Sequence, residues 1–167
     1  MNFLRRFLIS PSLPPVPIAA ALFCFALAWA GCRRQDNTTS ASSPAEKVSV
    51  ALKEWSVMPD RATLAAGGRV LFKAKNTGTV AHELVILKTD RPANALTVKE
   101  GMVREEAAGK VVGEVEEFAP GLEKEMTLDL SAGAYVLFCN VLEGGQAEGH
   151  YQKGMRAAFM VGPVSKR

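Results

Sequence analysis

The chain has 167 residues, which leaves enough for one domain with a single hydrophobic core once an export signal is set aside. Its formal net charge is only +3, from 20 Lys and Arg against 17 Asp and Glu. Because the basic residues are dispersed and have no aromatic residues interleaved with them, the composition argues against nucleic-acid binding.

The first 31 residues are typical of an export signal rather than of a fold. Arg5 and Arg6 form a short basic start, and residues 18–30 form an apolar run that ends in small residues. The run is shorter than the roughly 20 residues of a membrane-spanning helix and suits the core of a signal peptide. We predict a signal peptide over residues 1–31 and an exported protein, periplasmic or anchored to the membrane and facing away from the cytoplasm.

The end of this segment suggests a lipid anchor. Trp29-Ala30-Gly31-Cys32 resembles the lipobox of bacterial lipoproteins, in which cleavage precedes a lipid-bearing cysteine, although Leu is favoured where Trp29 stands. We expect Cys32 to be the attachment site; cleavage near Ala30 and an uncleaved anchor are the alternatives. The polar residues 32–45, rich in Ser and Thr, predict a flexible tether.

Residues 46–163 are predicted to form the folded domain, and their apolar pattern is typical of β-strands. Alternating or short apolar runs bounded by turn residues predict at least six strands, at residues 48–52, 70–75, 80–87, 125–130, 135–138 and 156–161. No internal repeat is visible. The pattern therefore predicts an all-β fold, either a sandwich or a barrel.

Residues 91–110 interrupt the strand pattern. Residues 95–100 and 104–108 are each followed by a glycine, which predicts two short helical turns in an insertion across the sandwich. Beyond it lies an acidic run, for which we expect a solvated face rather than a docking patch; its members are Glu114, Glu116, Glu117, Glu123 and Glu125.

The candidate metal site consists of the chain's two histidines, one of its three cysteines and a methionine. Cys139 directly follows the apolar strand 135–138, His150 and Met155 follow in the next loop, and His82 lies in an upstream strand. Two imidazoles, one thiolate and one thioether are the ligand set of a blue copper site.

The cysteine count supports this interpretation. Cys24 lies inside the predicted signal and Cys32 at its end, so Cys139 has no disulfide partner in the folded domain. A free thiol in an oxidising compartment is prone to oxidation unless something occupies it. A bound metal would occupy it.

Three pieces of sequence between Val48 and Val161 resemble the cupredoxins, the family of plastocyanin and azurin. They are Asn76-Thr77-Gly78 before Ala81-His82-Glu83-Leu84, the strand that ends in Cys139, and His150-x4-Met155 before a final strand. The resemblance implies a Greek-key β-sandwich that holds one type 1 copper. It implies His82 and His150 as imidazole ligands, Cys139 as the thiolate and Met155 as the weak axial thioether. It also implies a single-electron carrier that serves redox partner proteins and is not an enzyme.

The chain departs from the small members of that family in two ways. Ten residues separate Cys139 from His150, a longer loop that is more similar to those of copper nitrite reductases. Glu83 follows the first histidine, where the family often has an Asn that braces the Cys-bearing loop. We expect the long loop to change the exposure of His150, and Val141, Leu142 and Tyr151 to form an apolar contact patch around it.

Three alternatives remain open at this point. A copper carrier or buffer that delivers copper to a metalloenzyme could use the same ligands, although exposed Met and His clusters are absent from the sequence. An enzyme similar to nitrite reductase would need a second copper and further histidines, and both histidines are already assigned. A cupredoxin fold that has lost its metal would not be expected to keep four ligands.

Overall fold

The structure is a computed structural model that describes residues 45–163. The predicted signal peptide (1–31), nearly all of the predicted tether (32–45) and the proposed lipid site at Cys32 lie outside the described residues. The division into signal, tether and domain therefore stays a prediction. Within residues 45–163 no helix has the length and apolar character needed to cross a bilayer.

Eleven strands and two one-turn helices make up the secondary structure of the described residues. In chain order they are β1 (Glu46–Lys53), β2 (Ser56–Pro59), β3 (Thr63–Leu64), β4 (Gly68–Asn76), β5 (His82–Lys88), β6 (Val98–Lys99), β7 (Met102–Val103), α1 (Glu105–Ala108), β8 (Lys110–Phe118), β9 (Glu123–Leu130), β10 (Gly133–Phe138), α2 (His150–Lys153) and β11 (Arg156–Val161).

Nine of the eleven strands form two packed sheets, and the predicted Greek-key sandwich is confirmed. One sheet has the order β2-β1-β4-β9 and the other β3-β11-β10-β5-β8. Alternate residues of β1 and β4 point into the core between the sheets, including Val48, Val50, Val70 and Phe72. Alternation of apolar and polar residues is the pattern of a strand with one face on a core.

The central strands β5 and β10 are buried on both faces. In β5, Leu84 and Ile86 belong to the core between the sheets, whereas Val85 and Leu87 belong to a second cluster on the outer face. The second cluster also includes residues of the inserted segment, namely Leu96, Val103 and Ala108. This double burial explains why residues 84–87 of β5 form a continuous apolar run rather than an alternating one.

The insertion differs from the prediction in its first half. Residues 95–100 do not form a helical turn: Val98 pairs with Val103 in a β6–β7 hairpin, and Gly101 has a φ of 83° at its turn. Leu96 is drawn into the second cluster, so packing overrides the local preference. The second predicted turn is confirmed in part as α1.

The sequence pattern does not predict strand β8 (Lys110–Phe118), because its apolar residues are outnumbered by polar and small ones. Only Val115 and Phe118 of this strand are buried. The five glutamates of the acidic run lie on β8 and β9 and are exposed. Their exposure agrees with a solvated face, and the absence of docking there stays a prediction.

Phe72 tests the core between the sheets. Its side chain is fully buried and packs edge to face on Phe159 of the opposite sheet, with ring centroids 5.9 Å apart. Phe72→Ala should lower the free energy of unfolding by about 3–5 kcal/mol, since it removes buried contacts and leaves a cavity. Denaturant unfolding measures the change. Met58→Ala, at an exposed apolar side chain, is the control and should change stability by less than about 0.5 kcal/mol; equal losses in the two variants would contradict this packing.

Candidate metal centre

The fold brings three sequence-predicted ligands together at one end of the sandwich. β5 and β10 are antiparallel neighbours, with Phe138 opposite Val85, so the start of β5 lies beside the end of β10. His82 is the first residue of β5, and Cys139 directly follows β10. His150 opens α2, after the loop that begins at Cys139.

The donor atoms converge without any contact with solvent. His150 Nδ1 lies 3.3 Å from Cys139 Sγ and 3.3 Å from His82 Nδ1. One donor atom from each of the three residues lies within 4.8 Å of the others, and all three side chains are fully buried. Donors bound to one first-row metal at about 2.0–2.3 Å are necessarily this close. The cluster is therefore the right size for a single ion.

Met155 is tied to two of these residues through its backbone. Its carbonyl accepts a hydrogen bond from the Cys139 N–H at 3.1 Å, and its N–H donates to the His150 carbonyl at 3.0 Å. The side chain is fully buried in the core cluster that also contains Cys139. The predicted axial residue is thus joined through its backbone to Cys139 and His150, and its side chain lies in the same core cluster as Cys139.

Burial sets the protonation of the metal-free site. It raises the pKa of the Cys139 thiol to about 12. It lowers the pKa of His82 and of His150, and the neighbouring His82 lowers that of His150 further. Without a cation the site therefore holds a thiol and two neutral imidazoles. Neutral imidazole is the form that binds metal, and a coordinated thiol loses its proton to the field of the ion.

A carboxylate faces the outer nitrogen of each imidazole. Glu54 Oε1 lies 3.3 Å from His82 Nε2, and Glu143 Oε2 lies 3.9 Å from His150 Nε2. Neither contact has hydrogen-bond geometry, and these two nitrogens are the buried side-chain polar atoms of the described residues without a hydrogen-bond partner. The inner Nδ1 atoms therefore face each other and the thiol, and the outer nitrogens face negative charge.

Glu54 also fixes the turn that precedes β5. It accepts hydrogen bonds from the N–H groups of Thr79 at 2.7 Å and Val80 at 2.9 Å. Burial raises the pKa of Glu54, but these backbone N–H groups lower it more, to about 2. A Cβ at Gly78 would overlap the carboxylate. The Asn76-Thr77-Gly78 turn therefore admits a charged side chain that positions the backbone leading into His82.

Glu83 braces the Cys-bearing loop from the position where the resemblance leads one to expect Asn. Its side chain accepts a hydrogen bond from the Asn140 N–H at 2.7 Å, and its own N–H points at Cys139 Sγ at 3.5 Å. Burial raises the pKa of Glu83 to about 7. The departure in sequence therefore retains a side-chain contact with the loop.

The insertion holds the long loop at both ends. The Asn140 side chain accepts from the Val103 N–H at 2.6 Å and donates to the Val103 carbonyl at 3.1 Å and to Glu105 at 3.0 Å. At the other end the Gly149 N–H donates to the Gly101 carbonyl at 2.9 Å. A Cβ at Gly149 would overlap that carbonyl, so the close approach requires glycine there. These contacts were not foreseen from the sequence.

The predicted apolar patch around His150 is wrong for Tyr151. That side chain is buried in the second cluster, and its hydroxyl donates to the Ala93 carbonyl and accepts from the Leu96 N–H. The ring that covers His150 is Trp55, at a centroid distance of 5.0 Å. From the sequence, Trp55 is visible only as a tryptophan shortly after the predicted strand 48–52. That position does not reveal that its ring packs on His150.

Comparisons with known proteins agree with the fold. The family model described as a cupredoxin-like domain matches residues 18–150. The reduced auracyanin of the photosynthetic bacterium Roseiflexus castenholzii is 20% identical over 72% of this chain and 100% of its own, with a TM-score of 0.50. Auracyanin B is 19% identical over 72% of this chain and 91% of its own, also with a TM-score of 0.50. No curated protein matches the chain.

Asn140 tests the link between the insertion and the loop. Asn140→Ala removes one acceptor and two donated hydrogen bonds, and leaves the Val103 N–H without its partner. It should lower the free energy of unfolding by about 1–3 kcal/mol. Denaturant unfolding measures this loss, and faster hydrogen exchange at the Val103 amide would locate it.

Asn94 provides the matched control, because it is an exposed Asn in the same insertion. Asn94→Ala should change stability by less than about 0.5 kcal/mol. If Asn140→Ala behaved like Asn94→Ala, the loop would not depend on this contact.

Proposed function

The chain belongs to the cupredoxin-like domain family, and we propose that it is a one-electron carrier that uses a single type 1 copper outside the cytoplasmic membrane. One observation carries the proposal. His82 Nδ1, His150 Nδ1 and Cys139 Sγ converge in a pocket closed to solvent. Nitrogen and thiolate donors in a His2Cys set suit copper better than hard, oxygen-preferring ions.

The residues present fit the ion. His82, His150 and Cys139 would hold copper as the three strong donors, and Met155 would supply the weak axial thioether. When bound, copper supplies one-electron chemistry between its Cu(II) and Cu(I) forms. The protein holds the donors in place: β5 and β10 fix His82 and Cys139, and backbone hydrogen bonds tie Met155 to Cys139 and His150. Donors that are held in this way rearrange little when the charge of the ion changes.

Burial supports an electron carrier over a protein that delivers copper. A delivery protein must let a partner's ligands reach the ion, whereas His82, Cys139, His150 and Met155 are all fully buried. An electron, unlike an ion, can cross a thin layer of protein. The copper-delivery alternative is therefore the weaker of the two.

The remaining parts of the proposal rest on the sequence. The N-terminal pattern supports export, with an anchor through lipid at Cys32 or through the signal itself. The partners would be redox proteins that accept or supply one electron. We do not propose an enzyme, because copper-dependent nitrite reduction needs further histidines and the chain has only two.

Cys139 gives the first test. The full-length protein titrated with Cu(II) should bind one equivalent and show an intense thiolate-to-copper absorption band with a narrow parallel hyperfine splitting in EPR. Cys139→Ser should abolish the band, because the thiolate is its electron donor, while far-UV circular dichroism stays that of the folded sandwich. Cys32→Ser is the matched thiol control and should keep the band.

Persistence of the colour in Cys139→Ser would refute the site. Binding of Cu(II) by the unsubstituted protein without the absorption band would favour the copper-delivery alternative.

Met155 gives the second test. Met155→Leu should keep a coloured site and raise its reduction potential, because the thioether stabilises Cu(II). Each tenfold loss of preference for Cu(II) over Cu(I) raises the potential by about 59 mV. Voltammetry measures the change, with Met126→Leu, on β9, as the matched control. An unchanged or lower potential in Met155→Leu would contradict the axial role.

A further inference from the structure

His150 is sealed from solvent by a small group of side chains. It is fully buried. Trp55 packs against its ring at a centroid distance of 5.0 Å and an interplanar angle of 64°, and Glu143 lies beside its outer nitrogen. A partner protein therefore cannot touch this imidazole directly in the described structure.

Trp55 extends from this buried ring to the surface. The residue is 38% exposed, and among the exposed large apolar residues within 45–163 it is the one aromatic. The others are Met58, Met102, Leu122 and Met160. One conjugated ring thus contacts both a ligand imidazole and the solvent.

Lys153 holds this ring in place from the ligand loop side. Its ammonium lies 4.2 Å from the centre of the Trp55 ring, a cation–π contact. The same ammonium donates to Gln146 and lies 3.7 Å from Glu143. Because a positive charge over the ring disfavours removal of an electron from it, the indole suits a bridge for the electron rather than a site that is itself oxidised.

We propose that Trp55 is the contact through which one electron passes between His150 and an external one-electron carrier. The inference rests on the electron-transfer function proposed above. With copper bound, one electron would leave the reduced carrier and reach the site, where His82, Cys139, His150 and Met155 would hold the ion as it changed from Cu(II) to Cu(I). The indole ring gains and loses nothing overall, and no proton moves.

The copper-loaded full-length protein allows a direct test. We would measure electron self-exchange between its Cu(I) and Cu(II) forms, and oxidation of the Cu(I) form by hexacyanoferrate(III). Trp55→Leu keeps an apolar cover over His150 but removes the conjugated ring. The rate constants of both reactions should fall about tenfold, which is the size of effect that truncation of a central interface tryptophan has on a binding constant. Trp55→Phe should recover most of the rate.

Met160→Ala is the matched control. Met160 is an exposed apolar residue opposite Ala134, at the end of the sandwich away from Cys139. It should leave both rates unchanged. The absorption spectrum should be that of the unsubstituted protein in every variant, since none of the substitutions removes a ligand.

A second readout uses no metal. In the metal-free protein, diethyl pyrocarbonate should modify His150 slowly, and Trp55→Ala should make His150, but not His82, react faster. The chain has only two histidines, so mass spectrometry assigns each product. Equal labelling of His150 with and without Trp55 would show that the indole does not cover it, and would overturn the proposal.

The remaining outcomes separate the two proposals. Rates in Trp55→Leu that stay within about twofold, or rates in Trp55→Ala that rise, would mean that the electron does not need the indole. Trp55 would then be only a cover, and the inference would be wrong while the electron carrier stands. Absence of the thiolate-to-copper band in the unsubstituted protein would instead overturn the proposed function, and this inference with it.

Discussion

The hydrogen bonds of the Asn140 side chain to Val103 and Glu105 are the contact on which the candidate site most depends. Residues 140–149 contain no helix or strand of their own, and a backbone hydrogen bond from the His150 N–H to the Val141 carbonyl closes the loop. Contacts with the insertion must help to position this loop and His150 at its end. The insertion can do so because it is itself anchored: Leu96, Val103 and Ala108 pack on the outer face of β5 and β10. The second apolar cluster therefore supports the donor arrangement as well as the fold.

Burial of the donors has an electrostatic consequence that the surrounding carboxylates counter. Desolvation favours the neutral thiol and the neutral imidazoles. A cation brought into this pocket would be costly without negative charge nearby. The thiolate formed on binding supplies one such charge, and Glu54 lies behind His82 as another. Since Glu54 also accepts two backbone hydrogen bonds, its charge is fixed in position.

The sequence predicted the strands and the donors more fully than their surroundings. Alternation located β1 and β4, and the rarity of His and Cys singled out the three residues whose side chains the fold brings together. Residues 95–100 were assigned wrongly because burial of Leu96 outweighed the local pattern. The contacts of Glu83, Asn140 and Trp55 join segments that are far apart in the chain. No local periodicity encodes such pairings, so a single sequence could not reveal them.

The electron carrier proposed above would have to satisfy two opposing requirements. The donors need a pocket that excludes water and keeps them from rearranging, whereas a partner needs close electronic contact with them. An exposed ligand would serve the second requirement at the expense of the first. Here Glu143 of the long loop lies beside the buried His150, and a partly exposed indole, contacted by Lys153, packs against the imidazole ring. In the proposed carrier the buried His150 ring would bind the ion, and the Trp55 ring packed against it would meet the partner, so the two requirements would fall on two different rings.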